Sequence, residues 1–524
     1  MDASTINTPR NRLRRCCAER AATVAALPDE LYTAAQVRVL DRRAIAAGTP
    51  GIVLMRRAAA AVLAELQCRW PSCKSVLVCC GGGNNGGDGY LFARLAHERG
   101  IGVTVLELGQ SLVGDAATAR QALIADGIQP VALAEVDSFD FASSELIVDA
   151  LLGTGLTGEL RADCADVIAR MNAAAVPIIS VDLPSGLCSD TGNVVGSVAI
   201  EAALTISFIG LKRGLLTSDA ACHVGELVFT ALEVEHRGGA DAAAIVYLAK
   251  LEQLAAALPA RLGNHYKNRS GHLLVVGGDY GMPGAPLLAA RNALRCGAGL
   301  VSVATRPEHV AAIVAAQPEL MVHGIEKTAD LDALLEHATA VVIGPGLGQS
   351  AWSGQLLQRC KNHKTPFVID ADALNLVARY PSLMPVADAV LTPHTGEARR
   401  LLDSSDLMSP SRQVTDRFIA AATLLERYQK TIVLKGPGTI VASLHRTCLC
   451  GYGNQALATA GTGDVLSGVI GALLAQGLST GVAAELGVCL HGAAADQWVA
   501  SHGSRGMVAG DLTGQLTLLL NRLI

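Results

Sequence analysis

The chain has 524 residues, half of them hydrophobic and 17% charged, with a formal net charge of −5 and a pI near 6.2. That length exceeds what one hydrophobic core supports, so two large domains are expected and a largely disordered chain is excluded. The charge balance gives no global field for nucleic acid, which leaves small or nucleotide-like ligands as the better fit.

Residues 1–29 carry Arg10, Arg12, Arg14, Arg15 and Arg20 without the apolar stretch of a secretory signal, and read as a solvated basic tail. Thr33 to Glu65 reads as helix, broken at Gly48-Thr-Pro-Gly51. Strand and helix then alternate: strand 75–80, helix 88–99, strands 103–107 and 145–150, helix 163–173, strands 177–182 and 203–208. The stretch 231–263, rich in paired glycines, alanines and charges, reads as the boundary, with a linker at 236–262. A second series follows, with strands at 271–277, 299–304, 340–343, 366–369, 388–392, 431–435 and 439–443. Its helices fall at 285–296, 372–379, 395–403, 463–475 and 482–501. Alternation of this kind predicts α/β domains with parallel sheets covered on both faces, whose ligands bind at the carboxyl ends of the strands.

Fourteen cysteines are scattered, none forms C-x-x-C, and several such as Cys79, Cys80 and Cys489 lie in apolar runs. Buried reduced thiols in a cytoplasmic protein are expected. The apolar stretch Val465–Leu478 is interrupted by Ser467, Gly468, Gly471, Gln476 and Gly477 and is too short to span a bilayer. No membrane partner is expected.

"GGGNNGGDGY" at 81–90 follows an apolar strand and satisfies G-x-G-x-x-G, with Glu107 placed where a ribose-binding acid would sit. Asp88 conflicts with that reading, because a carboxylate inside the loop repels a bound pyrophosphate. Two further strand ends, "VDALLGTGLTGEL" (148–160) and "VDLPSGLCSDTG" (181–192), bring Asp149, Asp182 and Ser185 to the same sheet edge as Asn85 and Asp88. A single Asp at a strand end is more often a helix cap. Three glycine-flanked strand ends together favour a site, and their hard oxygen donors suit an alkali or alkaline-earth cation rather than zinc.

In the second half, Gly461-Thr-Gly-Asp464 opens a helix whose free N–H groups attract an anion. Asp464 either complements the helix dipole or contacts a substrate hydroxyl while neighbouring amides hold a transferring phosphoryl group. Lys435 and the glycine turn 436–438 would bind nucleotide phosphate by charge and backbone N–H.

The stretches "YTAAQVRVLDRRAIAAGTPGIVLMRRAA", "GGGNNGGDG", "DALLGTGLTG" and "VDLPSGLCSDTG" resemble the N-terminal epimerase domain of the bifunctional NAD(P)H-hydrate repair enzymes, over about residues 31–230. "HYKNRSGHLLVVGGDYGMPGAPLLAARNALRCGAGLVSVAT", "VVIGPGLG", "VIDADALNL", "TPHTGE", "KGPGT" and "AGTGDVLSG" resemble the dehydratase half of the same family, over about residues 260–520. The resemblance implies a Rossmann-like three-layer α/β/α domain at 30–235 and a ribokinase-like one at 263–524. It implies epimerisation of the hydrated coenzymes at C6 of the nicotinamide ring and ADP-dependent dehydration of the S form, giving AMP and phosphate. ADP is expected because bacterial members use it where eukaryotic members use ATP, and the fused order looks bacterial; Mg²⁺ accompanies either nucleotide.

For the first site the resemblance implies K⁺ on Asn85, Asp149 and Ser185. It implies hydrate contacts at Asn84, Asn85, Gly86, Gly87 and Asp88, at Gly153, Thr154, Gly155, Leu156, Thr157, Gly158 and Glu159, and at Asp182, the expected proton-transfer group. In the second it implies hydrate contacts at Ala285, Gly346, His394 and the catalytic Asp464, and nucleotide contacts at Lys435, Gly436, Pro437, Gly438, Thr439 and Gly463. A homo-oligomer is expected. Arg56 and Arg57 depart from the Glu-Asn found in many members. Two other readings remain open on sequence: a ribokinase-like kinase with a ligand-sensing N-terminal domain, and a nucleotide-binding scaffold with idle catalytic residues.

Overall fold

The computed structural model describes residues 22–108, 112–132, 139–156, 158–234, 243–261, 263–264, 266–403 and 415–523. Two compact units divide the chain: Ala26–Val246, and Tyr247–Ile524 together with residues 22–25. The basic part of the expected tail lies outside the described residues. Val24 and Leu27, which end that stretch, are buried. The expected linker carries structure of its own where it is described, a strand at Val246–Ala249 and a short helix at Leu251–Ala255.

In the first unit, helices α1 (Ala34–Ala46) and α2 (Gly51–Arg69) precede the sheet. A capping box between Thr33 and Gln36 sets the start of α1. The sheet strands are β1 (Ser75–Cys80), β2 (Gly102–Glu107), β3 (Val131–Ala132), β4 (Leu146–Ala150), β5 (Ile178–Val181), β6 (Leu204–Phe208) and β7 (Glu226–Thr230). They run in the order β3-β2-β1-β4-β5-β6-β7, all parallel. The order reverses between β1 and β4, and that crevice is where an open parallel sheet receives ligands. Central strands such as "SVLVCC" and "LIVDA" are near-continuously apolar because helices cover both faces. On the helix Ala162–Ala173, the residues Cys164, Val167, Ile168 and Met171 share one face and pack on Leu77, Ile147 and Ile178.

The helix expected at 88–99 starts earlier, as α3 (Asn84–Glu98). Gly83 takes the N-cap position, so "NNGGD" is helical and the phosphate-like loop shrinks to Gly81–Gly83. Close approach requires this. A side chain at Gly86 would lie 1.9 Å from the Gly81 carbonyl oxygen, and one at Gly81 would lie 1.8 Å from that of Leu151.

The second unit contains β8 (His272–Val276), β9 (Leu300–Thr305), β10 (Met321–Gly324), β11 (Ala340–Ile343), β12 (Phe367–Ile369), β13 (Ala389–Leu391), β14 (Thr431–Leu434), β15 (Thr439–Ala442) and β16 (Thr447–Cys450). Their order is β16-β15-β14-β13-β12-β11-β8-β9-β10, parallel throughout except for the β14–β15–β16 meander. Helices α6 (Gly284–Arg295), α7 (Ala371–Arg379), α8 (Thr395–Asp403), α9 (Arg417–Tyr428), α10 (Thr462–Ala475) and α11 (Thr480–His502) carry or flank the site, α4 (Gly114–Ala125) and α5 (Ala162–Ala173) belonging to the first unit. No single described helix is long and apolar enough to cross a membrane. The apolar α10 is instead buried, as a core helix.

Candidate active sites

At the carboxyl ends of β1, β4 and β5, Asn85, Asp149 and Ser185 come together. Asp149 is fully buried, and its carboxylate accepts bonds from Ser180 Oγ (2.9 Å), Ser185 N (2.9 Å) and Ser185 Oγ (2.5 Å). Burial nevertheless pushes its pKa above the usual carboxylate range, against the pull of the serine hydrogen bonds. Asn85 donates Nδ2 to the Leu152 carbonyl at 3.0 Å, and the same carbonyl lies 3.4 Å from Ser185 Oγ. Asn85 Oδ1 is buried without a hydrogen-bond partner. An unsatisfied amide oxygen beside a buried carboxyl, a hydroxyl and a carbonyl is a donor set for a cation that prefers oxygen.

Asp182 follows β5 with φ +69°, in the left-handed region that Asp tolerates better than most residues. Its carboxylate accepts from the Phe208 N–H (3.2 Å) and from Lys212 Nζ. Lys212 is only 1% exposed and also donates to the Phe208 carbonyl (3.0 Å) and Ser207 Oγ (3.3 Å). A buried lysine aimed at a strained aspartate is the strongest feature of this site that the sequence reading missed. "GLKRGLL" gave no signal beyond a loop lysine.

Asp41 and Asp88 also feel this pair. Burial raises the Asp41 carboxyl to about 6, with Lys212 pulling the other way and Asp182 adding to the rise. Asp88 is held well above the usual range by burial first, then by Asp182 and Asp41. A carboxyl whose charged form is disfavoured conflicts less with an anionic ligand than a freely ionised one.

The 153–159 segment adjoins the cation nest at its start, where a side chain at Gly153 would lie 3.3 Å from Asn85 Cβ. Arg38 donates to the Thr154 carbonyl at 3.2 Å. Gly155, Gly158 and Glu159 are exposed, as is Asn84, while Gly86 and Gly87 are buried. Thr157 lies outside the described residues. From α2, Met55 covers Gly87, Arg56 points to solvent, and Arg57 bonds the Leu232 carbonyl (2.8 Å) and pairs with Glu233 (2.8 Å). Both residues of that turn have positive φ. Arg57 therefore fastens the chain after β7, and the departure "LMRRAA" falls outside the Asp182 cluster.

In the second unit Lys435 directly follows β14, and its Nζ lies 2.9 Å from Asp370 Oδ1 and 4.0 Å from Glu397 Oε2. Asp370 is buried at the end of β12 and also accepts from Thr392 Oγ1 (2.7 Å) and Ser467 Oγ (2.6 Å). Burial works to raise its pKa, but Lys435 and the two hydroxyls outweigh it and hold the carboxyl below its usual value. Lys435 is likewise held protonated, since Asp370 and Glu397 overcome its burial.

Asp464 stands in the first turn of α10 and is pushed up to about 7, by burial first and then by Asp370, with Lys435 opposing. Gly463 adjoins the lysine, and a side chain there would lie 3.4 Å from Lys435 Nζ. His394 is bridged to Lys435 through the backbone, is 3.6 Å from Glu397, and has its pKa lowered by burial and then by Lys435. Ala285 and Gly346 meet at the ends of β8 and β11, where a side chain at Gly346 (φ +56°) would lie 3.1 Å from Ala285 Cβ. The turn holding Gly346 begins at Gly344, whose missing side chain leaves room for the Asp370 carbonyl.

All the described residues expected in the second site thus sit along one carboxyl edge. Asp370 and Glu397 are additions to them. Among the described residues no group of three His, Cys, Asp or Glu side chains is arranged to hold a metal ion.

Family profiles match both halves of the chain: "NAD(P)H-hydrate dehydratase" over residues 273–518 and "YjeF-related protein N-terminus" over residues 51–214. The chain is 44% identical over 494 residues to the bifunctional NAD(P)H-hydrate repair enzyme of Coxiella burnetii, covering 94% of this chain and 99% of that protein. It is 43% identical over 504 residues to the enzyme of the same name from Escherichia coli, covering 94% and 95%. Against that of Vibrio cholerae it is 40% identical over 503 residues, covering 95% and 100%.

Proposed function

The chain belongs to the family of bifunctional NAD(P)H-hydrate repair enzymes, and from that premise we propose that its two carboxyl-edge clusters act in turn on one damaged coenzyme. Residues 30–235 form the epimerase and 263–524 the ADP-dependent dehydratase. The observation that carries the reading is the second cluster: a carboxyl titrating near neutrality, Asp464, beside a protonated lysine at a helix N-terminus. Such a set removes a proton from a hydroxyl while stabilising a transferring phosphoryl group.

In the epimerase, the C6 hydroxyl lies next to the ring nitrogen, whose lone pair drives hydroxide out and erases the stereocentre. Asp182, fixed by Lys212 and the Phe208 amide, handles the proton at that oxygen, and water returns to either face. The segments 84–88 and 153–159 hold the rest of the substrate. K⁺ fits the nest of Asn85 Oδ1, Asp149, Ser185 Oγ and the Leu152 carbonyl, where it would neutralise the carboxylate and orient the bound phosphates. Replacing K⁺ by a bulky organic cation should slow epimerisation at least several-fold and leave dehydration unchanged, and Asn85→Ala should remove that response. Equal rates in both salts would exclude the ion.

In the dehydratase, the C6 hydroxyl oxygen attacks the terminal phosphorus of ADP. The new O–P bond forms as the P–O–P bond breaks, AMP leaves, and Asp464 takes the hydroxyl proton. Phosphate then departs from C6 with the bonding electrons, and loss of a proton from C5 restores the ring double bond. Ala285, Gly346 and His394 would contact the hydrate, and Lys435–Thr439 with Gly463 the nucleotide. Mg²⁺ binds chiefly to phosphate and water and needs only one or two carboxylates, so it would arrive with the nucleotide. It would supply charge neutralisation on the phosphates.

An equal mixture of the two hydrate epimers with ADP tests the whole proposal through the absorbance of reduced nicotinamide. Complete recovery is expected. Recovery halting near half means that the epimerase is idle, and accumulation of a stable phosphorylated product would favour the kinase reading. A cytoplasmic homo-oligomer is part of the proposal, checked by light scattering of the purified chain.

A further inference from the structure

Arg417 is the first residue of α9 and is 7% exposed. Both circumstances disfavour it there, since a cation at a helix N-terminus opposes the dipole and buried arginine is rare. Asp416 caps the helix through the Phe418 and Ile419 amides, which sets the direction from which Arg417 enters. The guanidinium reaches beneath the turn after β14. Its Nη1 donates to the Pro437 and Gly438 carbonyls, the latter at 2.9 Å, and its Nη2 to the Leu434 carbonyl at 3.0 Å. A side chain at Gly436 would lie 2.8 Å from Nη2, so the turn rests directly on the planar group.

We infer that Arg417 is a positioning residue for nucleotide binding, its guanidinium fixing the peptide planes of the Lys435–Thr439 turn so that their amides face the phosphates. This rests on the reading of that turn as the nucleotide contact. All described peptide bonds are trans, and a trans peptide points its C=O and N–H in opposite directions. Turning the Pro437 and Gly438 carbonyls toward Arg417 therefore turns the Gly438 and Thr439 amides away from it. Gly436 (φ +149°) and Gly438 (φ +60°) supply the backbone freedom, and the arginine selects one conformation from it. Burial lowers the guanidinium pKa to about 10, so it stays charged at neutral pH. A lysine in its place, with one nitrogen, cannot span carbonyls that a flat fork reaches together.

The test is steady-state dehydratase kinetics on the full chain with Arg417→Gln and Arg417→Lys, varying ADP and hydrate separately, with Lys435→Ala in parallel. Arg417→Gln should raise the KM for ADP about tenfold or more, as expected for losing one or two charged hydrogen bonds, with the KM for hydrate unchanged. Arg417→Lys should fall between. Inhibition by AMP should weaken in the glutamine variant, and inhibition by adenosine should not. An unchanged KM for ADP, or equal losses for ADP, hydrate and adenosine in both variants, overturns the inference. If Lys435→Ala alone raises the KM for ADP, the turn keeps its role and Arg417 loses its own; if neither variant does, the reading of the turn itself has failed.

Discussion

Asp464→Asn is expected to abolish dehydration, by ~10²-fold or more, while epimerisation by the same chain continues and the second unit becomes more stable at pH 8. Burial holds the carboxyl near 7, above the 3.8 of an ordinary aspartate. Between those two pH values the folded protein keeps a proton that the unfolded chain has released, so stability falls as pH rises through the window. Above about 7 both states are ionised and the full cost of the buried charge is present, at most about 4 kcal/mol. Asparagine avoids that cost, which is the usual relation between a catalytic group and the fold that carries it. The rate has the opposite dependence. A base must be ionised to accept the hydroxyl proton, so dehydratase kcat should drop about tenfold per pH unit below 7. Thermal melts of both chains at pH 5 and pH 8, read beside the pH–rate profile, check the pair of claims. A variant that melts lower at pH 8, or that still dehydrates, would show that Asp464 is a structural cap.

Much of this arrangement was legible in the chain because the parallel sheets and their glycine turns leave strong local marks. Apolar runs such as "SVLVCC" and "LIVDA" located the central strands, and the Asp149, Asp182 and Lys435 strand ends pointed to the edges where the clusters lie. The misplaced start of α3 has a local cause: five glycines within "GGGNNGG" look like loop, while only tertiary contacts at Gly81 and Gly86 show which of them are helical. Lys212, Asp41 and Arg417 were invisible for a different reason. Each owes its importance to partners distant in sequence: Asp182 for the lysine, Lys212 and Asp182 for Asp41, and the 434–438 carbonyls for the arginine. On periodicity alone each belongs to an exposed turn or a helix face. Asp370 lay within a quoted motif, but its role depends on the convergence of Lys435, Thr392 and Ser467 from three other elements.

Replacing Asp182 by Asn, Lys212 by Met, or both should give three enzymes equally deficient in epimerisation yet unequal in stability. Asparagine tolerates the left-handed backbone of position 182 as well as aspartate does, so Asp182→Asn preserves the turn while removing the base. It also strips Lys212 of its anionic partner within a nearly solvent-free site. Lys212→Met leaves the carboxylate without its cation, and it leaves the Phe208 carbonyl and Ser207 hydroxyl without a donor. Breaking a buried pair from one side typically costs about 3–5 kcal/mol, and the partly exposed Asp182 places this case toward the lower end. Removing both charges together avoids the uncompensated ion, so the double variant should be more stable than the sum of the single losses by about 1–3 kcal/mol. Activity should not recover, because the proton-transfer group is gone from two of the three enzymes and misplaced in the third. Chemical denaturation of the four chains gives the coupling, with dehydratase activity reporting an intact second unit. Additive stability losses would show that the lysine and aspartate act independently, and substantial epimerisation by Lys212→Met would confine the lysine to a packing role.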